Sequence, residues 1–149
     1  MSTDHTTAAT GGDGHLAAQE NNSLAISNAM VHVYKEHFGR GPTKTRTYWA
    51  GPDVVTVTLE DTLTRAEHNL VKMGEHERLR DLRLRFQYGS VPEFCEPIER
   101  ITGRKVRAFI SGIDTRAGGL SVETFVLHPE GYEGPSRGEL VQQESGPPA

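Results

Sequence analysis

This chain of 149 residues has one cysteine, one tryptophan and no apolar run close to the 18 or so residues that a membrane span needs. Each shortage excludes something. A single cysteine rules out an internal disulfide framework and fits a reducing compartment. Because Cys95 falls on an apolar helical stripe, it reads as a small buried hydrophobe and not as a nucleophile. Basic residues are not in excess: 16 Lys and Arg against 20 Asp and Glu give a net charge of −4 and a pI near 6.0. A dedicated nucleic-acid binder usually carries a basic footprint, so nucleic acid is not an expected partner. The N-terminus has neither a basic nor an apolar leader region, so no secretory signal is visible. The expectation is a cytoplasmic chain with one core, too short for two ordinary domains.

Recognisable chemistry is also scarce. The seven histidines have no Cys partners and no His-Glu-x-x-His arrangement, and His32 and His37 are five apart, which splays them around a helix. No Ser or Cys stands in a nucleophile elbow. Gly39-Arg40-Gly41 follows a helix and lacks the Lys-Ser/Thr ending, so it is not a phosphate loop. Carboxylates are plentiful, but on helix faces expected to be solvated. The reading therefore contains no catalytic residue, no metal site and no cofactor, and the protein is not expected to be an enzyme.

The stretch from Leu63 to Val106 organises the rest. Thr64 stands three residues before Glu67, the spacing of a capping box. Apolar residues then recur at Ala66, Leu70 and Met73, and at Leu79, Leu82 and Phe86, which is helical spacing. A second start signal, Ser90 with Glu93, opens a stripe of Val91, Phe94, Cys95, Ile98 and Ile101 that Gly103 closes. Pro97 lies inside that stripe and predicts a kink without a break. The run Arg78, Arg80, Arg83 and Arg85 reads as a solvated face balanced by Glu75, Glu77 and Asp81.

Upstream, Ile26, Ala29, Met30, Val33, Tyr34 and His37 form one face of a helix stopped by Gly39-Arg40-Gly41-Pro42. Thr43 to Trp49 and Val54 to Glu60 flank Ala50-Gly51-Pro52-Asp53 as a β-hairpin. Downstream, Val106 to Ser111 and Leu120 to His128 form a second one. Gly-Arg pairs follow the helices at Gly39-Arg40 and Gly103-Arg104, a short echo of an internal repeat. Residues 1–21 and 130–149 are poor in apolar side chains and are read as disordered tails around a domain at 22–129. The order helix, hairpin, helices, hairpin predicts an α+β fold, a four-stranded mainly antiparallel sheet with helices packed on one face.

Taken in order, several short motifs resemble the MpsC-like family, small proteins named for a sodium-translocating, membrane-potential-generating system. They are Gly39-Arg40-Gly41-Pro42, Leu59-Glu60, Leu63-Thr64 with Ala66-Glu67 and Leu70, Glu99 with Thr102-Gly103-Arg104-Lys105-Val106, and Phe125-Val126-Leu127. The resemblance spans roughly Ser23 to Pro129, with departures at Arg65, Pro92, Pro97 and Gly112. It implies a non-enzymatic accessory protein, peripheral at the inner membrane face, beside an ion- or bicarbonate-handling membrane complex. Gly39, Gly41, Pro42, Thr64, Glu67, Glu99 and Gly103 would be architectural, and Arg40, Arg83 and Arg104 would reach a partner or an anion. The alternative is a small sensory domain that binds an anionic metabolite at those arginines.

A homodimer is the last expectation. Phe109, Phe125, Tyr48 and Val54 would share one exposed sheet face if the register pointed them the same way, and two-fold pairing would cover that face.

Overall fold

The computed structural model describes residues 3–144, arranged as α1 (Thr3–Phe38), β1 (Lys44–Trp49), β2 (Val54–Glu60), α2 (Arg65–Lys72), α3 (His76–Gly89), α4 (Val91–Thr102), β3 (Val106–Asp114), β4 (Leu120–Leu127) and α5 (Arg137–Glu144). The strands lie in the order β1-β2-β4-β3, every neighbour antiparallel, which makes the fold α+β. Alternation decides which side is covered. Val55, Val57 and Leu59 of β2 and Phe125 and Leu127 of β4 are buried, while the residues between them are half-buried. Ile26, Met30, Val33 and Tyr34 of α1 and Phe94, Cys95 and Ile98 of α4 close the core over those side chains. Phe94, Phe109 and Phe125 stack in sequence, with 5.1 Å between successive ring centroids. Each buried ring contributes about 1.5–3 kcal/mol.

Two αββ units are visible in this order. α1 and α4 each end on a glycine in the left-handed region, Gly39 at φ 76° and Gly103 at φ 70°. Each is followed by an arginine and an antiparallel hairpin, and the second strands of the two hairpins meet at the sheet centre. The centre is marked by Thr56 and Thr124, whose hydroxyls lie 3.1 Å apart. The Gly-Arg echo thus coincides with a pseudo-two-fold relation between units, and α2 and α3 are inserted between them.

Several expectations need correction. Phe109 and Phe125 are register partners and do point the same way, but into the helix-covered core; Tyr48 and Val54 lie on the opposite face. Leu82 and Phe86 are exposed, whereas Leu79, Arg83 and Gln87 form the buried stripe of α3 at i, i+4, i+8. α2 has no buried residue, and Met73 beyond it is exposed. Ser90 makes no side-chain cap for α4; its hydroxyl donates to the Phe86 carbonyl instead. The helix runs through Pro97, with Cys95 and Ile98 buried and Ile101 packed against the core.

The two segments read as disordered tails are helical over much of their length. α1 starts at Thr3, and Gln19 donates to the Gly51 carbonyl. α5 packs on α4, where Gly138 lies so close to Pro92 and Cys95 that a Cβ there would sit 3.1 Å from Pro92 Cα. Ser136 Oγ accepts from Gly138 N–H, Glu139 accepts from Ser136 N–H at 2.9 Å, and Lys105 pairs with Glu139 at 3.2 Å. The parts of the two tails at 1–2 and 145–149 lie outside the described residues.

Candidate functional site

The buried stripe of α3 faces a polar cluster under the sheet. Arg83 is fully buried. Its Nη1 donates to Thr62 O at 3.0 Å and to Glu67 Oε1 at 2.9 Å, and its Nη2 donates to Thr62 Oγ1 at 3.2 Å. The guanidinium lies 3.8 Å from the Phe38 ring centroid, a cation–π contact in a water-excluded place. Glu67 has two roles, because the same Oε1 accepts from Thr64 N–H at 2.8 Å and completes the capping box of α2. Thr62 Oγ1 passes the chain on to Gly119 O and meets Ser121 Oγ at 3.1 Å.

One turn along α3, Gln87 Nε2 donates to Glu123 Oε1 at 2.8 Å and makes a short bond to Ser111 Oγ. Tyr34 OH donates to the same Glu123 oxygen at 2.6 Å. Glu123 itself is fully buried. Burial pushes its carboxyl up to about 7, against the lowering effects of Tyr34, Ser111, Gln87 and the Arg83 charge. The Tyr34 phenol is raised well above its ordinary value, by burial first and then by the Glu123 charge. Glu123 Oε2, Gln87 Oε1 and Arg83 Nε are buried without a hydrogen-bond partner among the described residues. The cluster joins α1, α2, α3, β3 and β4.

The three arginines expected to meet a partner are turned inward. Arg83 is the centre of the cluster just described. Arg104 donates to Pro52 O at 2.7 Å and to His128 O at 2.7 and 3.2 Å, and pairs with Asp53, so it staples the first hairpin turn to the end of β4. Arg40 is half-buried and donates to Leu63 O at 3.0 Å. Glu99 Oε2 accepts from Val106 N–H at 2.7 Å across the left-handed Gly103. At Gly41 an added Cβ would lie 2.9 Å from Lys35 Cε, and Pro42 lies in the same link to β1. Thr64 and Glu67 form the capping box that their spacing predicts. Burial pushes the Cys95 thiol up to about 12, with the Glu99 charge adding to it.

Glu123 is the residue that sequence reasoning missed. Its signal was alternation: Ser121, Glu123, Phe125 and Leu127 share one face of β4, which sets the carboxylate in step with the apolar Phe125 and Leu127. Gln87 and Arg83 carried the matching signal, four residues apart and in step with Leu79.

A family model for MpsC, the Na+-translocating membrane potential-generating system, matches residues 19–129. The chain belongs to the MpsC family. No curated protein and no solved structure matches it. In this MpsC protein no helix among the described residues is long and apolar enough to cross a membrane. Among the same residues, no group of three His, Cys, Asp or Glu side chains is placed to hold a metal ion.

The other feature of this MpsC domain is the sheet face opposite the helices. The register sets Tyr48 beside Thr56, Val54 beside Val126 and Ala108, and Ile110 beside Thr124. Ile110 is 56% exposed and Tyr48 53%. Thr56 and Thr124 lie between them in the register, and the half-buried Val54, Val126 and Val122 flank that row. A one-sided sheet ordinarily shows water a polar face, and this face is a mixture of Thr with Val, Ile and Tyr.

Proposed function

We propose that this protein is a non-enzymatic, cytoplasmic accessory component of a sodium-translocating, membrane-potential-generating system, and that it docks on the membrane-embedded part through its bare sheet face. The observation that carries the reading is the apolar content of that face around Ile110 and Tyr48, which a water-facing sheet does not need. Family membership supplies the system. The absence of a spanning helix among the described residues is consistent with attachment to other subunits.

The test is genetic and biochemical together. Deleting the gene should abolish a Na+-dependent membrane potential in inverted vesicles. An Ile110→Asp variant should fold, leave the membrane fraction and fail to restore that potential. An unchanged potential in the deletion strain, or full rescue by Ile110→Asp, would overturn the reading. A metabolite sensor is less well supported, because Arg83 and Arg104 are buried and bonded to their own chain. A thermal-shift screen with nucleotides, bicarbonate and organic anions separates the two readings, since only a sensor should respond.

A further inference from the structure

The two edges of the sheet are treated differently. On β3, the Tyr88 hydroxyl receives Ser111 N–H at 3.0 Å and donates to Ser111 O at 3.2 Å, so α3 occupies hydrogen-bonding groups that point away from β4. Among the described residues, the β1 edge has no such cover. Its ladder to β2 uses the even positions, as Ala50 N–H to Val54 O at 2.9 Å shows, so the backbone groups of Thr45, Thr47 and Trp49 point outward. Beside this edge runs a groove of about 550 Å³ between β1 and α1. The α1 side presents Leu24, Ser27, Asn28 and Val31, the i, i+3, i+4, i+7 spacing of a helix-packing stripe, and Leu24 is 70% exposed. On the strand side, Thr45 Oγ1 is buried without a partner among the described residues.

We propose that β1 and this stripe of α1 form a two-fold interface with a second copy of the chain, joining two sheets edge to edge. The occupant follows from what must be covered. A peptide strand would pair with the edge and leave the α1 stripe open, whereas a second copy brings a strand and a helix together. Charge then selects the register. With Thr47 opposite Thr47 of the other copy, Thr45 pairs with Trp49, and Arg46 faces Tyr48, a cation over an aromatic ring. A shift that centres the axis on Arg46 sets two guanidinium groups opposite each other, and one centred on Thr45 sets Lys44 against Arg46. Like charges directly opposite are destabilising, which disfavours both of these shifts, and a shift toward Tyr48 would set Thr45 opposite Gly51, beyond the end of the strand, so the Thr47 register pairs the most outward backbone groups. This edge shares only Tyr48 with the bare sheet face, and Ile110 lies on the strand at the opposite edge, so Ile110→Asp tests one proposal and Thr45→Pro the other.

The full-length chain is examined by light scattering on a sizing column at rising concentration. Wild type and Ile110→Asp should both be dimers. Thr45→Pro, which removes one outward N–H and leaves the β1–β2 ladder intact, should be a folded monomer by circular dichroism. Leu24→Glu should do the same from the helix side and serves if the proline variant fails to fold. In a Cys95→Ala background, Thr47→Cys should oxidise to a covalent dimer, because directly paired strand residues lie ~5.5 Å apart, within disulfide reach. Thr45→Cys should not, since its copies would be ~13 Å apart along the strands in that register. A wild type that stays monomeric at high micromolar concentration, or a dimer that survives both Thr45→Pro and Leu24→Glu, would overturn the interface. Crosslinking of Thr45→Cys as readily as Thr47→Cys would overturn the register.

Discussion

Replacing Glu123 by Gln should change how stability depends on pH more than it changes stability at any one pH. The folded chain holds the Glu123 proton up to about pH 7, whereas the same carboxyl in an unfolded chain releases it near its ordinary value of 4.5. Between those values the folded state binds one proton more, so the group's contribution to stability is largest below pH 4.5 and is lost as pH rises to 7. A shift of this size corresponds to roughly 3 kcal/mol. Glutamine keeps the shape and an acceptor for Tyr34 and does not titrate. Its new amide also brings a donor to a cluster in which Gln87 Oε1 is a buried acceptor without a partner. Urea unfolding of both proteins at pH 5, 6, 7 and 8 isolates the effect, because exposed carboxylates cancel in the difference. The variant should gain on the wild type steadily as pH rises, by up to roughly 3 kcal/mol over the series, and level off above pH 7. A difference that stays flat, or one that moves in favour of the wild type at high pH, would mean that Glu123 is ionised throughout and that Arg83 outweighs burial.

Three further outcomes test other parts of the fold. Arg83→Leu should cost about 3–5 kcal/mol in urea unfolding, because it leaves Glu67 and the Thr62 carbonyl without their partner, and a second change, Glu67→Gln, should recover part of that loss. Removing 131–149 should lower the thermal midpoint by clearly more than 2 °C, because α5 packs on α4 through Gly138. Pro97→Ala should leave the fold intact by circular dichroism and stabilise it by up to roughly 1–3 kcal/mol, offset by whatever packing the buried ring supplies.

The strands were legible because alternation is a local property: Val54 to Glu60 and Leu120 to Leu127 state their own faces within a few residues. The capping box at Thr64 and Glu67 and the left-handed Gly39 and Gly103 were legible for the same reason. The orientation of α3 was not, since its sequence offers two stripes. Choosing Arg83 and Gln87 over Leu82 and Phe86 depends on Thr62, Ser111 and Glu123, which the chain supplies 21 to 36 positions away. The C-terminal segment misled for a different reason. Sparse apolar composition predicts little burial, but a glycine at 138 lets a backbone approach α4 closely without large side chains. Phe109 and Phe125 do point the same way, the condition on which the expected shared face rested, but they enter the helix-covered core.

The doubled αββ plan makes this chain a tethered pair. A single unit would leave the β2 edge open and would have to find a copy of itself; here the second unit is supplied covalently, with α2 and α3 as the strap. Once the halves are joined they need no longer be alike. Across the central seam Val57 faces Glu123, apolar on one side and ionisable on the other, both buried. The strap supplies Gln87, which donates to Glu123, and Arg83, whose charge acts on it. The segment that joins the two halves thus also supplies the surroundings of a titratable group in one half for which the other half has no counterpart.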